Sequence, residues 1–358
     1  MVKYLVVAAA IATMLAALSS GSFAAGSATA PTTPPRGIPI TASLPKAPAR
    51  GKTVGFVLCN LPTCATFVPG MKAATAALGW KLQLFTYTGA GAKQALIQAV
   101  QKGVDFIAIT GAGRAEYAAG LAAAHAKHIP VTSQSATDPA DPKAGLYSQI
   151  GGTSTYKNFT DAMAQWGAKE SGGKANVVFV NIPDFPILAT GEKQARASWK
   201  AACASCGFDI LEVTVDDLGQ GAVGSKLAAY LQSHTRVNYV EFSFGDLITG
   251  VPQTLKSAGL ASKVKLITVA ATGQVFKGII DGSVAAGNVQ PNGYMGWVHV
   301  DRMARLSEGL PLVQEAQAEK LPTYVVETPA AAKPLVKLGY WDGPAGYQAA
   351  FKKLWHVK

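Results

Sequence analysis

Residues 51–58, Gly51-Lys52-Thr53-Val54-Gly55-Phe56-Val57-Leu58, read as a turn followed by a continuous apolar strand. Such a run is what a parallel sheet buries on both faces. Outward from it the pattern alternates: a helix over 67–78, a strand over 81–87, a helix over 92–101, a strand over 106–109, a helix over 117–127 and a strand over 130–132. A second copy starts at Gly173-Lys174 before the strand Asn176 to Asn181. Its helix, Leu188 to Cys206, ends in Gly207-Phe208 as the earlier one ended in Gly79-Trp80, and Tyr239-Val240-Glu241-Phe242 answers Phe106 to Ile109. The spacing between matching points drifts gradually, as small loop insertions would make it. The fold class expected is therefore α/β, with two doubly wound parallel-sheet lobes in tandem.

The 358 residues are 49% hydrophobic and 15% charged, enough to bury two ordinary cores and too apolar for a disordered chain. Lysine and arginine number 32 against 21 aspartates and glutamates, a formal charge of +11. The basic residues are scattered, which argues for solvated surface charge and against a nucleic-acid partner. Lys3, the apolar run Tyr4 to Leu18 and the small residues around Ser22-Phe23-Ala24 read as a secretory signal peptide, residues 1–24. No later stretch is apolar enough to span a membrane, and the first cysteine is Cys59, so a lipid-modified leader is not expected. Residues 25–50, rich in Pro, Ala, Ser and Thr, read as a flexible lead-in. The expected location is the periplasm or the outside of the cell.

In that oxidising setting the four cysteines fall as two local pairs, Cys59 with Cys64 and Cys203 with Cys206. Three connectivities are possible, and the two local bridges are favoured because the pairs sit in different halves of the chain. A metal or redox role for Cys203-x-x-Cys206 is disfavoured by the absence of a histidine or second such pair nearby in sequence. Gly111-Ala112-Gly113 lacks the continuation of a phosphate loop, and no Gly-x-Ser-x-Gly or His-Glu-x-x-His occurs. The five histidines fall on or near helices. Neither catalytic residues nor a metal or cofactor are expected.

With Phe67-Val68-Pro69-Gly70-Met71-Lys72-Ala73-Ala74 after the first strand, His128-Ile129-Pro130-Val131 closing the first unit and Val289-Gln290 late in the chain, the order of the pieces resembles the type I periplasmic binding proteins. The nearest branch is the ribose-binding-like solute-binding components of ABC importers. The resemblance covers about Gly51 to Thr328. It implies two lobes joined by a three-segment hinge, with crossings near Ser148 to Gly151, near Gln290 and near Thr323 to Val325. The lobes would then be 51–150 plus 291–324, and 151–290 plus 325–358. The Tyr347 to Trp355 stretch reads as an extra helix packed on the second lobe.

The ligand would lie between the carboxyl ends of the strands. Candidate contacts there are Asn60, Phe67, Thr110, Gln134, Asp184, Phe185, Lys193, Phe244, Asp246 and Gln290. Bland readings stand beside them: Phe67 as core, Gln290 as a partner for backbone at a crossing, Phe185 and Phe244 as loop packing, Asp184 and Asp246 as helix N-terminal carboxylates. The sugar-binding members' charged groups are largely exchanged. Ser133-Gln134-Ser135 stands where an Asp-Arg pair is expected, Ala270 or Ala271 for an Asp, Phe244 for an Asn and Lys193 for an Arg. This departure argues for a less hydroxylated or aromatic ligand, since unpaired hydroxyls are costly to bury. The resemblance implies a non-enzymatic, monomeric receptor that closes on a small molecule and delivers it to an ABC permease. The alternatives are a ligand-sensing receptor for a membrane signalling protein and a carbohydrate-binding protein with an atypical site.

Overall fold

The computed structural model describes residues 30–312 and 321–358; the signal-peptide reading lies outside them. The central strands are largely apolar and buried on both faces, which is why they pair in parallel with helices on either side. The first sheet contains β1 (Thr53–Cys59), β2 (Lys81–Tyr87), β3 (Phe106–Thr110), β4 (Val131–Gln134) and β5 (Leu146–Ile150), in the order β2-β1-β3-β4-β5 and wholly parallel. The second contains β6 (Asn176–Asn181), β7 (Gly207–Glu212), β8 (Tyr239–Phe242), β9 (Lys265–Thr268), β10 (Ala286–Val289) and β11 (Tyr324–Val326), in the order β11-β10-β9-β8-β6-β7. It is parallel except for β11, which runs antiparallel to β10. The edge strands β2 and β7 carry the more exposed, polar residues of each sheet.

The chain leaves the first sheet after Ile150 and enters the helix Thr153–Glu170, which packs on the helix Gly191–Ala202 and on β10. It returns after Val289 into the helix Asn292–Ser307, which packs against the helix Val68–Ala77 and β5. It passes over again ahead of β11.

Two expectations are corrected here. The helix Tyr347–Leu354 forms, but it lies on Asn292–Ser307 of the first lobe rather than on the second lobe. Tyr347, Phe351 and Trp355 recur at helical spacing and so share one face; Trp297 stacks on Trp355 at 5.1 Å and on Phe351 at 5.9 Å. Nor is the lead-in loose over its described part. Ile40 and Leu44 are buried in the core, and backbone bonds tie Pro31 to Val325 and Leu44 to Leu354. The Arg305 guanidinium donates to the Ala42 carbonyl, and the Trp80 indole to that of Ala49. A segment without periodicity is ordered because its neighbours supply donors for its carbonyls.

Candidate functional site

The carboxyl ends of β1, β3 and β4 face those of β6, β8, β9 and β10 across a cleft, and the lobes are closed on each other. The Asp246 carboxylate, on the turn after β8, accepts from the backbone N–H of Thr63 in the first lobe at 3.0 Å and from the Thr272 hydroxyl at 3.2 Å. Burial raises its pKa, the donated hydrogen bonds acting the other way. Thr63 lies inside the loop that the Cys59–Cys64 disulfide closes, so that donor is held in place before the lobes meet. The second bridge, Cys203–Cys206, lies at the end of Gly191–Ala202, away from the cleft.

Between the lobes is a cavity of about 100 Å3. Its walls are Phe67, Leu61 and the disulfide from the first lobe, and Tyr156, Phe159, Phe185, Ile187, Leu188 and Phe244 from the second. Polar groups are sparse: Thr63, Thr110, Ser135, Thr155, Ser243 and Gln290. No charged side chain lines it among the described residues. Phe185 and Phe244 meet edge to face at 6.5 Å. The Tyr156 hydroxyl donates to the Ser243 carbonyl at 2.9 Å, and burial drives its pKa well above the ordinary range, so it stays a neutral phenol. Gly111, in a left-handed conformation, lets the chain pass against the disulfide: a Cβ there would come within 3.3 Å of the Cys59 sulfur.

Of the ten residues singled out from sequence, Phe67, Thr110, Phe185, Phe244 and Gln290 line this cavity. Asn60, Asp184 and Lys193 are exposed and do not. Asp246 bridges the lobes beside it, and Gln134 lies fully buried behind Thr110, to whose hydroxyl it donates at 3.2 Å. The sequence reading missed Tyr156 and Phe159. Their signal was present as two aromatics three residues apart early in a helix, a spacing that puts both on one face, but a core face has the same spacing. Leu61, Ile187 and Leu188 were missed because they sit just before or within one-turn helices that follow strands.

A family model described as periplasmic binding protein domain matches residues 60–311. The chain belongs to that family. This periplasmic binding protein has the type I, ribose-binding-like fold, and solved structures share it. A glucose-galactose binding protein from Geobacillus stearothermophilus is 19% identical, with a TM-score of 0.63 over 78% of this chain and 98% of that one. A periplasmic ribose ABC transporter protein from Conexibacter woesei is 16% identical, with a TM-score of 0.65 over 80% and 96%. A solute-binding protein from Burkholderia graminis, in complex with D-arabinose, is 21% identical, with a TM-score of 0.64 over 78% and 96%. No curated protein matches the chain in sequence. The family is one of non-enzymatic ABC-transporter binding proteins, which implies an extracytoplasmic location, a small-molecule ligand and a permease partner. No helix among the described residues is long and apolar enough to cross a membrane.

Proposed function

We propose that this periplasmic binding protein captures a compact molecule with a planar or apolar body and few polar groups, and delivers it to an ABC permease by hinge closure. The supporting observation is the cavity wall: five aromatic rings, a disulfide and no charge. A sugar presents several hydroxyls, each of which loses water on entry and needs a partner; hydrogen bonds to charged groups contribute about 1.5–3 kcal/mol apiece, and none is offered here. Size points the same way: at about 100 Å3 the cavity is smaller than the roughly 150 Å3 apolar cavity that holds a benzene, which favours a compact occupant. Closure is driven by the ligand's contacts with both lobes, which exist together only in the closed state. Phe67 would serve as a stacking face from the first lobe, Phe185 and Phe244 from the second, and Gln290 and Thr110 as polar contacts. Asp246 would close the entrance without touching the ligand.

The second reading, a carbohydrate receptor with an atypical site, is favoured by the sugars named for the solved neighbours. A thermal-shift screen of monosaccharides, polyols, aromatic acids and small amides separates the two. A ligand at a hundred times its dissociation constant stabilises by roughly 2.7 kcal/mol, a shift of several degrees. The largest shifts should come from aromatic or amide compounds and should shrink in Phe67→Ala. A monosaccharide giving the largest shift would establish the second reading.

A further inference from the structure

Four buried side chains from three elements form a hydrogen-bonded chain that ends at the cavity. Thr132 and Gln134 are two residues apart on β4 and so point to one face of the sheet. Thr110 closes β3 in register with Gln134, and His299 comes from Asn292–Ser307, packed over β5. Thr132, Gln134 and His299 are 0% exposed and Thr110 is 1% exposed. His299 Nδ1 is 2.8 Å from the Thr132 hydroxyl, His299 Nε2 is 2.8 Å from Gln134 Oε1, and Gln134 Nε2 is 3.2 Å from Thr110 Oγ1.

The direction of every bond follows. Burial, and then the charge of Arg302, hold the His299 pKa down to about 3, so the ring carries one proton at neutral pH. Gln134 Oε1 only accepts, which places that proton on Nε2. Nδ1 therefore accepts from the Thr132 hydroxyl, whose other neighbour, the Ile107 carbonyl, is at 3.4 Å. At the far end Gln134 donates to Thr110 Oγ1, and the Thr110 carbonyl is taken by the Tyr87 hydroxyl at 2.8 Å. The Thr110 hydroxyl hydrogen has no acceptor among the described residues, and Thr110 lines the cavity.

We propose that this relay fixes Thr110 as a hydrogen-bond donor to the bound molecule, which therefore carries a lone-pair acceptor, a ring nitrogen or a carbonyl oxygen, toward the first lobe. The inference rests on the cavity being the ligand site. Thr110 would be the specificity-determining contact, and His299 and Gln134 positioning residues that set its polarity. An acceptor on the ligand pairs with this hydrogen, whereas a ligand group with only hydrogens to give leaves it buried without a partner.

Two measurements on the intact mature protein test this. Long-range nitrogen–proton NMR reads the His299 tautomer directly; the other four histidines are exposed, and substituting them leaves the His299 signals in place. The expected state is protonated on Nε2 alone. A proton on Nδ1 reverses the chain, makes Thr110 the donor to Gln134 and overturns the proposal. The second measurement compares the isosteric probes pyridine and benzene at pH 7.5. Thr110→Val should lower the pyridine-to-benzene affinity ratio about fivefold, while Thr110→Ser keeps it. An unchanged ratio in Thr110→Val overturns the proposal. If neither probe binds the wild type, the compact-ring reading of the ligand fails, and the tautomer by itself upholds or overturns the relay.

Discussion

Glu241 shows how one residue in the middle of a strand can shape the behaviour of the whole chain. It lies on β8, 0% exposed, with Oε2 accepting from the Trp199 indole at 2.5 Å and Oε1 without a partner among the described residues. Burial pushes its pKa up to about 8 from an ordinary 4.5, against the lowering effect of Trp199. The folded chain thus keeps a proton that the unfolded chain releases between these values, so stability falls as pH rises through that window. His299 acts in the opposite sense, because its pKa is depressed to about 3 from 6.5: its contribution is present above 6.5 and is lost as pH falls. Between 4.5 and 6.5 the two oppose each other, and between 6.5 and 8 Glu241 dominates. Urea denaturation should show the wild type losing about 2 kcal/mol between pH 6.5 and 8. Glu241→Gln should be flat there and should weaken more steeply than the wild type below pH 6.5. Parallel pH profiles for the two proteins would remove Glu241 as the cause.

At the scale of elements, the contact between the helices Val68–Ala77 and Asn292–Ser307 depends on glycine. A Cβ on Gly70 would fall 2.2 Å from the Gly293 carbonyl oxygen, and one on Gly296 would fall 2.4 Å from the Met71 nitrogen. These are backbone atoms that a rotamer change cannot relieve. Alanine in a helix gains about 1 kcal/mol over glycine in propensity, yet here the helices would be forced apart, at a cost of about 1–3 kcal/mol or more. Gly296→Ala should therefore lower the melting temperature. Gly219→Ala, where nothing among the described residues lies within 4 Å of the added Cβ, should leave it unchanged or raise it. Equal effects from both would show that the crossing tolerates a methyl group.

At the scale of the molecule, the lobes are connected by more than the three crossings that the sequence suggested. The segment 30–50 is bonded to β11 at Pro31 and to Trp80 of the first lobe at Ala49. The tail packs the helix Pro329–Val336 on Gly273–Asp281 in the second lobe, then Tyr347–Leu354 on Asn292–Ser307 in the first. Hinge opening has to bend or carry both segments. A chain beginning at Ala49 should melt earlier and, without ligand, show a larger radius of gyration by small-angle scattering. An unchanged radius and melting point would mean that residues 30–48 restrain neither the lobes nor the fold.

The doubled α/β pattern was legible without coordinates because parallel strands buried on both faces leave an unbroken apolar run, as in Val54 to Leu58 and Val177 to Val180. The local cysteine pairing was legible because five- and three-residue separations confine each bridge to one loop. Five of the ten candidate residues, Phe67, Thr110, Phe185, Phe244 and Gln290, line the cavity, because strand ends converge in such folds and those residues follow strands. Which of several polar residues near a strand end turns inward was not readable: Asn60, Asp184 and Lys193 face solvent, and Gln134 stops behind Thr110. A side chain's direction there depends on the loop that carries it and on what fills the opposite lobe. The same limit explains the segment 30–50 and the tail. Their order comes from partners distant in sequence, some more than 250 residues away, such as Arg305 for Ala42 and Leu354 for Leu44, and no local pattern encodes a partner that only the folded chain brings within reach.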